Sequence, residues 1–282
     1  MSQRVVLISG CSSGIGLDAA RGLRARGWRV FASCRAEADC IARRAEGFES
    51  PVLDQADESS VRAAFDEVLA ATGGRLDAVY ANGAYALPGA VEDIPRAALR
   101  EIFETNLFGA HDMARFALPV MRAQGHGRIV ACSSVLGLLA LRYRGPYNAT
   151  KFAMEAMFDT LRLELRDADW ARNIHVSLLE PGPIVTPFRA KSRPHFERWI
   201  DPQASAWRAQ YETLLIPRLS ARDDQKTSFT TLAPEAVTRR LIHALESKRP
   251  KPHYLITPPT WVAEGARRFL PARLRDALFR HA

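Results

Sequence analysis

The first 185 residues alternate short apolar runs with longer segments of helical periodicity, and this alternation restricts the fold more than any other property of the chain. Residues 4–8, 29–32, 76–80, 128–132 and 175–179 read as strands. Segments 15–25, 59–70, 99–121 and 147–166 carry apolar residues at helical spacing. Strands separated by helices of this length pair in parallel, with the helices covering both faces of the sheet. The expected class is therefore α/β, a doubly wound parallel sheet of Rossmann type, as one domain spanning 1–282. Within it, 4–187 forms the core, and 188–230, rich in aromatics, Arg and Pro, reads as a helical insertion over a site. Segment 231–282 holds a helix at 234–246, a short strand at 254–257 and a basic tail.

Composition sets limits on partners and compartment. The four cysteines show neither metal-ligand spacing nor a disulfide framework, so no metal site is expected and a reduced, cytoplasmic compartment is favoured. No apolar run is long enough to span a bilayer, and the N-terminus lacks a signal-peptide pattern. Net charge is +8, and residues 234–282 concentrate it, with ten Lys/Arg against four Asp/Glu. No nucleic-acid-binding motif accompanies this charge, so nucleic acid is not expected as a partner. Two readings stay open for the tail, where arginines alternate with Phe and Leu. One is a weak, peripheral contact with a membrane surface; the other is docking on the domain or at a subunit interface.

Two motifs carry chemistry. Gly10, Ser12, Ser13, Gly14, Ile15 and Gly16 lie in a turn that leaves the first strand and opens the first helix. Such a turn lets a pyrophosphate approach the backbone and offers it free N–H groups at the positive end of a helix. Further on, Tyr147 and Lys151 stand one helical turn apart on the same face. A cation about 4–5 Å from a phenol favours phenolate by roughly 3–4 kcal/mol at an effective dielectric near 20. That predicts a Tyr147 pKa brought from about 10 to near neutrality, where it can exchange a proton with an alcohol or ketone oxygen.

The Gly-x-x-x-Gly-x-Gly spacing with Tyr-x-x-x-Lys resembles the short-chain dehydrogenase/reductase family. Ser134, thirteen residues before Tyr147, matches the family's catalytic serine, and Asn106 matches the asparagine that completes its tetrad with Tyr147 and Lys151. Asp54, with Gln55 beside it, matches the aspartate that contacts adenine. Pro181, Gly182, Ile184 and Thr186 match the segment that clamps the nicotinamide. Asn82 and Gly83 match a turn passing under the cofactor, although the family's Asn-Asn-Ala-Gly is replaced by Ala81-Asn82-Gly83-Ala84 and local geometry there is in question. The resemblance implies that Tyr147 is the acid/base, Lys151 lowers its pKa and binds the nicotinamide ribose, Ser134 holds the substrate oxygen, and Asn106 positions a water beside Lys151. It also implies a homo-oligomer.

The second strand ends in Cys34-Arg35, where an NAD-preferring site would place an acid. Arg35, with Ser12, suits a 2′-phosphate, so NADP(H) is the expected cofactor. Candidate substrate contacts are 85–87, 136–143 and the insertion residues Phe188, Phe196, Trp199, Trp207 and Tyr211. With the likeness to the hydroxysteroid and retinol dehydrogenase branch, they point to a lipophilic small-molecule alcohol or carbonyl substrate. Two other readings are kept: a 3-oxoacyl thioester reductase, and a catalytically silent NADP(H)-binding sensor.

Overall fold

Val5–Ile8 (β1) is apolar at every position and every residue of it is buried, as expected of a strand covered on both faces. The computed structural model describes residues 3–220 and 227–280. Gly14–Ala25 (α1), Arg29–Ala32 (β2), Glu37–Ala45 (α2), Glu58–Thr72 (α3) and Ala78–Ala81 (β3) follow in chain order. Arg96–Phe103 (α4) runs through a π-turn at Glu104–Phe108 into Gly109–Gln124 (α5), then Gly127–Cys132 (β4), Gly145–Arg166 (α6) and Ile174–Glu180 (β5). The six strands, closed by His253–Leu255 (β6), pair in the order β2-β1-β3-β4-β5-β6, all parallel. The chain leaves β1 toward β2 on one side and later returns to lay β3 on the other. The reversal opens a crevice at the carboxyl ends of β1 and β3, the usual place for a ligand in such sheets.

One apolar layer unites α3, α5 and α6 with the sheet through Phe65, Met113, Met121 and Phe158. The opposite layer unites α1 with Glu235–Glu246 (α10) through Leu23, Leu241 and Trp28. The 188–230 segment, apart from 221–226, which lie outside the described residues, contains Phe188–Trp199 (α7), Arg208–Gln210 (α8), a π-turn at Tyr211–Leu215 and Ile216–Ser220 (α9). Phe196, Tyr211, Leu215 and Leu219 pack there into a small core of their own. The Tyr211 hydroxyl donates to the Asp93 carboxylate and accepts from the Ala90 amide, tying the segment to the body.

Three helices escape the sequence pattern. In α2 only Cys40 is buried, so the apolar stripe that would reveal the helix is missing. Its remaining signal is electrostatic, with Glu37 and Asp39 in the first turn and Arg43 and Arg44 in the last, each matching the helix dipole. The tail forms Pro258–Phe269 (α11) and Ala272–Leu278 (α12). Helix α11 buries Thr260, Ala263 and Ala266, while α12 buries nothing. Trp261, Phe269, Leu274 and Leu278 remain exposed. Among the described residues, no helix is long and apolar enough to cross a membrane.

Candidate active site

Glycine geometry builds the floor of the crevice. A Cβ on Gly16 would meet the Gly10 carbonyl oxygen at 2.3 Å, and one on Gly10 would meet Gly83 Cα at 2.8 Å. Only glycines let the β1–α1 turn pass this close to the end of β3. Asn82 secures the contact by donating from Nδ2 to the carbonyls of Ser9 (3.0 Å) and Gly10 (3.3 Å). The permuted Asn82-Gly83 turn is thus held against the β1–α1 turn by these two bonds.

Above this floor lies one cavity that brings together most of the expected residues. Gly10, Ser12, Ser13, Gly14 and Ile15 line one end of it, with Asn82 and Gly83 beneath. Ser134, Tyr147, Lys151, Pro181, Gly182, Ile184 and Thr186 form a continuous wall. Ser134 lies two residues beyond β4 and accepts from the Leu136 amide at 3.1 Å, which fixes its hydroxyl. Helix α6 carries Tyr147 and Lys151, both buried.

Burial decides the charge state of this pair, against the expectation from spacing. Desolvation raises the Tyr147 phenol above its ordinary value, and only the hydrogen bond with Ser134 pulls the other way. Lys151 points its Nζ at the Cys132 carbonyl, 2.7 Å away, and lies 5.6 Å from the Tyr147 ring centre. Its own pKa falls to about 8, chiefly by burial, with Cys132 and Glu155 opposing the fall. The lowered phenol pKa read from the four-residue spacing is thus corrected. Removing both groups from water outweighs the attraction assumed at a half-solvated dielectric.

Five expected residues do not reach the cavity wall. Asn106 is fully buried, where its Oδ1 accepts from the Tyr85 amide and its Nδ2 donates to the Tyr85 carbonyl and the Thr150 hydroxyl. It clasps the Tyr85 backbone to α6, and the π-turn around it gives the room. Gln55 is buried below the Asn82-Gly83 turn and donates to the Thr105 carbonyl at 3.1 Å. Asp54 turns back to accept from the Ala56 amide. Gly16 sits behind the turn, and Arg35 is exposed at the crevice mouth. Of the insertion aromatics, Phe188 lines the cavity and meets Tyr147 edge-on at 5.6 Å. Phe196 and Tyr211 are core, so the expected aromatic cleft reduces to one ring.

Sequence reasoning missed three cations. Arg43 of α2 donates to the carbonyls of Cys11 and Ser12, both at 3.2 Å, and so braces the glycine turn from outside. Lys191 of α7 reaches the hydroxyls of Ser13 (2.8 Å) and Ser12 (3.4 Å). Arg144, immediately before α6, also lines the cavity. No local pattern marks Arg43 or Lys191, because each acts across a long sequence separation. A separate ionic cluster lies beneath Ser133, where His253 stands 2.6 Å from Glu180 and 3.0 Å from Asp159, with Glu155 beside it.

The residues fit a dinucleotide. Ser13 is the N-cap of α1 but gives it no side-chain cap, so the first-turn amides stay available to a ligand. An ammonium from Lys191 stands next to them, a placement that an anion between the two would stabilise.

Comparison with known proteins agrees with this geometry. A family model described as short chain dehydrogenase matches residues 4–197. The chain is 38% identical over 277 residues to an uncharacterized oxidoreductase, YbbO, of Escherichia coli K12, covering 98% of this chain and 94% of that protein. It is 38% identical over 199 residues to retinol dehydrogenase 8 of Bos taurus, covering 67% of this chain and 61% of that protein. A solved short chain dehydrogenase/reductase from Burkholderia phymatum, in complex with NAD, has the same fold, with a TM-score of 0.77 at 23% identity over 100% of this chain and 96% of that one.

Proposed function

The chain belongs to the short chain dehydrogenase family, and from that premise we propose that it is an NADP(H)-dependent oxidoreductase acting on a lipophilic alcohol or carbonyl compound. The observation that carries this reading is the convergence of Ser134, Tyr147 and Lys151 on the wall of a cavity whose other end is the glycine turn. The likeness to retinol dehydrogenase 8 supports a lipophilic substrate, as do the apolar side chains of Leu136, Leu141, Phe188 and Leu219 around the far end of the cavity. Preference for NADP(H) over NAD(H) is favoured by Cys34, a buried thiol where an acid would be needed, and by the exposed guanidinium of Arg35 beside it.

A bound nicotinamide would supply or accept the hydride, held by the glycine turn, Ile184 and Thr186. The chain contributes placement and proton transfer. Ser134 orients the substrate oxygen through its hydroxyl and stabilises charge developing there. Tyr147 exchanges a proton with that oxygen from its phenol. Burial holds the phenol in its protonated form, the form that donates when a carbonyl is reduced. Lys151 keeps a positive charge beneath the phenol, and Asn106 holds α6 against the Tyr85 segment so that the group stays aligned. Segment 188–230 is the substrate lid in this reading. The four free, buried cysteines suit a reducing, cytoplasmic compartment, and the exposed apolar residues of α11 and α12 suit a second copy or a membrane surface.

The test is oxidation of NADPH and NADH across a panel of lipophilic aldehydes and ketones. Turnover is expected with NADPH and lost in Tyr147→Phe with cofactor binding retained. Full turnover in Tyr147→Phe overturns the acid/base assignment, and equal efficiency with both cofactors overturns the cofactor preference.

A further inference from the structure

The cavity carries a charge that the reaction just described does not use. Arg144 lines it three residues before Tyr147, at the N-cap of α6. Among the described residues its side chain has no hydrogen bond and no ion pair, and the charged groups that act on it are the guanidiniums of Arg218 and Arg189. Burial first, and then those two charges, pull its pKa down to about 10. A guanidinium withdrawn from water is costly unless an anion meets it. Its position at the positive end of α6 adds to the cost.

Three further features mark the position as one held for a ligand. The described residues lining the cavity include five cations and not one Asp or Glu, and two of those cations, Arg189 and Arg218, have partners of their own. The preceding residue, Tyr143, is the one non-glycine residue with positive φ among those described, at 58°. Such a conformation costs on the order of 1–3 kcal/mol and persists where the surrounding structure enforces it. Here the Tyr143 carbonyl accepts from the Gly89 amide (3.0 Å), and this pairing turns the chain at Arg144. The phosphates of a dinucleotide are matched by other residues, Ser12, Ser13 and Lys191.

We propose that the substrate is an amphiphile with an anionic head group, a carboxylate or sulfonate, which Arg144 binds as a two-pronged donor while the apolar chain lies against Leu141 and Leu219. This rests on reading the cavity as a nicotinamide-dependent active site. Planar oxyanions suit the guanidinium fork, and the charge-assisted bonds would select them over neutral lipids of equal length.

Calorimetry on the full protein loaded with NADPH tests it, using octane-1-sulfonate, octanoate and octan-1-ol as dead-end ligands. The two anions should bind at least about ten-fold more tightly than the alcohol, equivalent to about 1.4 kcal/mol. Arg144→Gln should bind all three alike while its NADPH affinity stays unchanged. Octan-1-ol binding as tightly as the anions to the wild-type protein overturns the proposal, even if the variant does not fold. An anion preference that survives in folded Arg144→Gln overturns it as well. Absence of NADPH binding by the wild-type protein overturns the oxidoreductase reading instead, and the inference falls with it.

Discussion

Lys191 Nζ lies 2.8 Å from the hydroxyl of Ser13, so a cation from α7 sits on the residue that opens α1. Both the ammonium and the helix end are positive, and they are brought together across 178 residues of sequence. An anion between them resolves the repulsion. Lys191→Met should therefore weaken NADPH binding about ten-fold, with Lys191→Arg keeping most of the affinity. Titration of reduced-nicotinamide fluorescence reads this directly, and an unchanged dissociation constant in the Met variant rules the contact out.

Arg35 stands exposed at the end of β2, next to the buried Cys34. If its guanidinium meets a 2′-phosphate, Arg35→Asp should lower the NADPH-to-NADH ratio of kcat/KM by at least about ten-fold, most of it through KM for NADPH. A ratio that does not move would place the phosphate contact elsewhere.

Lys151 is expected to cost stability while serving the reaction. Its folded pKa, about 8, lies below its ordinary value of 10.5, so the folded protein binds fewer protons than the unfolded chain between those values. The penalty is present in full below about pH 8 and fades as pH rises toward 10.5. Lys151→Met should be more stable than the wild type by roughly 2–3 kcal/mol at pH 7, with turnover lost. Urea unfolding at pH 7 and 10 checks it; a variant less stable at pH 7 contradicts the argument.

Glu155 gives the opposite slope. Burial, and then the charge of Glu180, push its carboxyl up to about 8. The folded state then binds more protons than the unfolded chain from the usual carboxylate range up to about pH 8, and stability from this group falls across that window. Glu155→Gln removes that fall. The variant should gain stability relative to the wild type on going from pH 5 to pH 9 in denaturant titrations. Parallel stability curves for the two proteins would sink the prediction.

The sheet was readable because strands buried on both faces leave continuous apolar runs, as at β1, and helices such as α6 leave a periodic stripe. Helix α2 was not readable, because it buries a single cysteine and holds its place through charged side chains. The glycines of the first turn were legible for a similar local reason: the backbone there admits no Cβ. Asn106 could be picked out, but its partner Tyr85, 21 residues away, could not.

The sequence by itself determined the class of fold, the order of the motifs and the identity of Ser134, Tyr147 and Lys151 as wall residues of one site. The fold class and the first turn follow from periodicity and turn chemistry, which act over a few neighbouring residues, and Ser134 follows from the family resemblance. Only the tertiary structure decided that burial raises the Tyr147 pKa, that Lys151 faces the Cys132 carbonyl, and that Lys191 and Arg144 bring cations to one cavity. Charge states and long-range contacts depend on how much water each group loses and on which distant segment covers it. Spacing along the chain carries neither quantity.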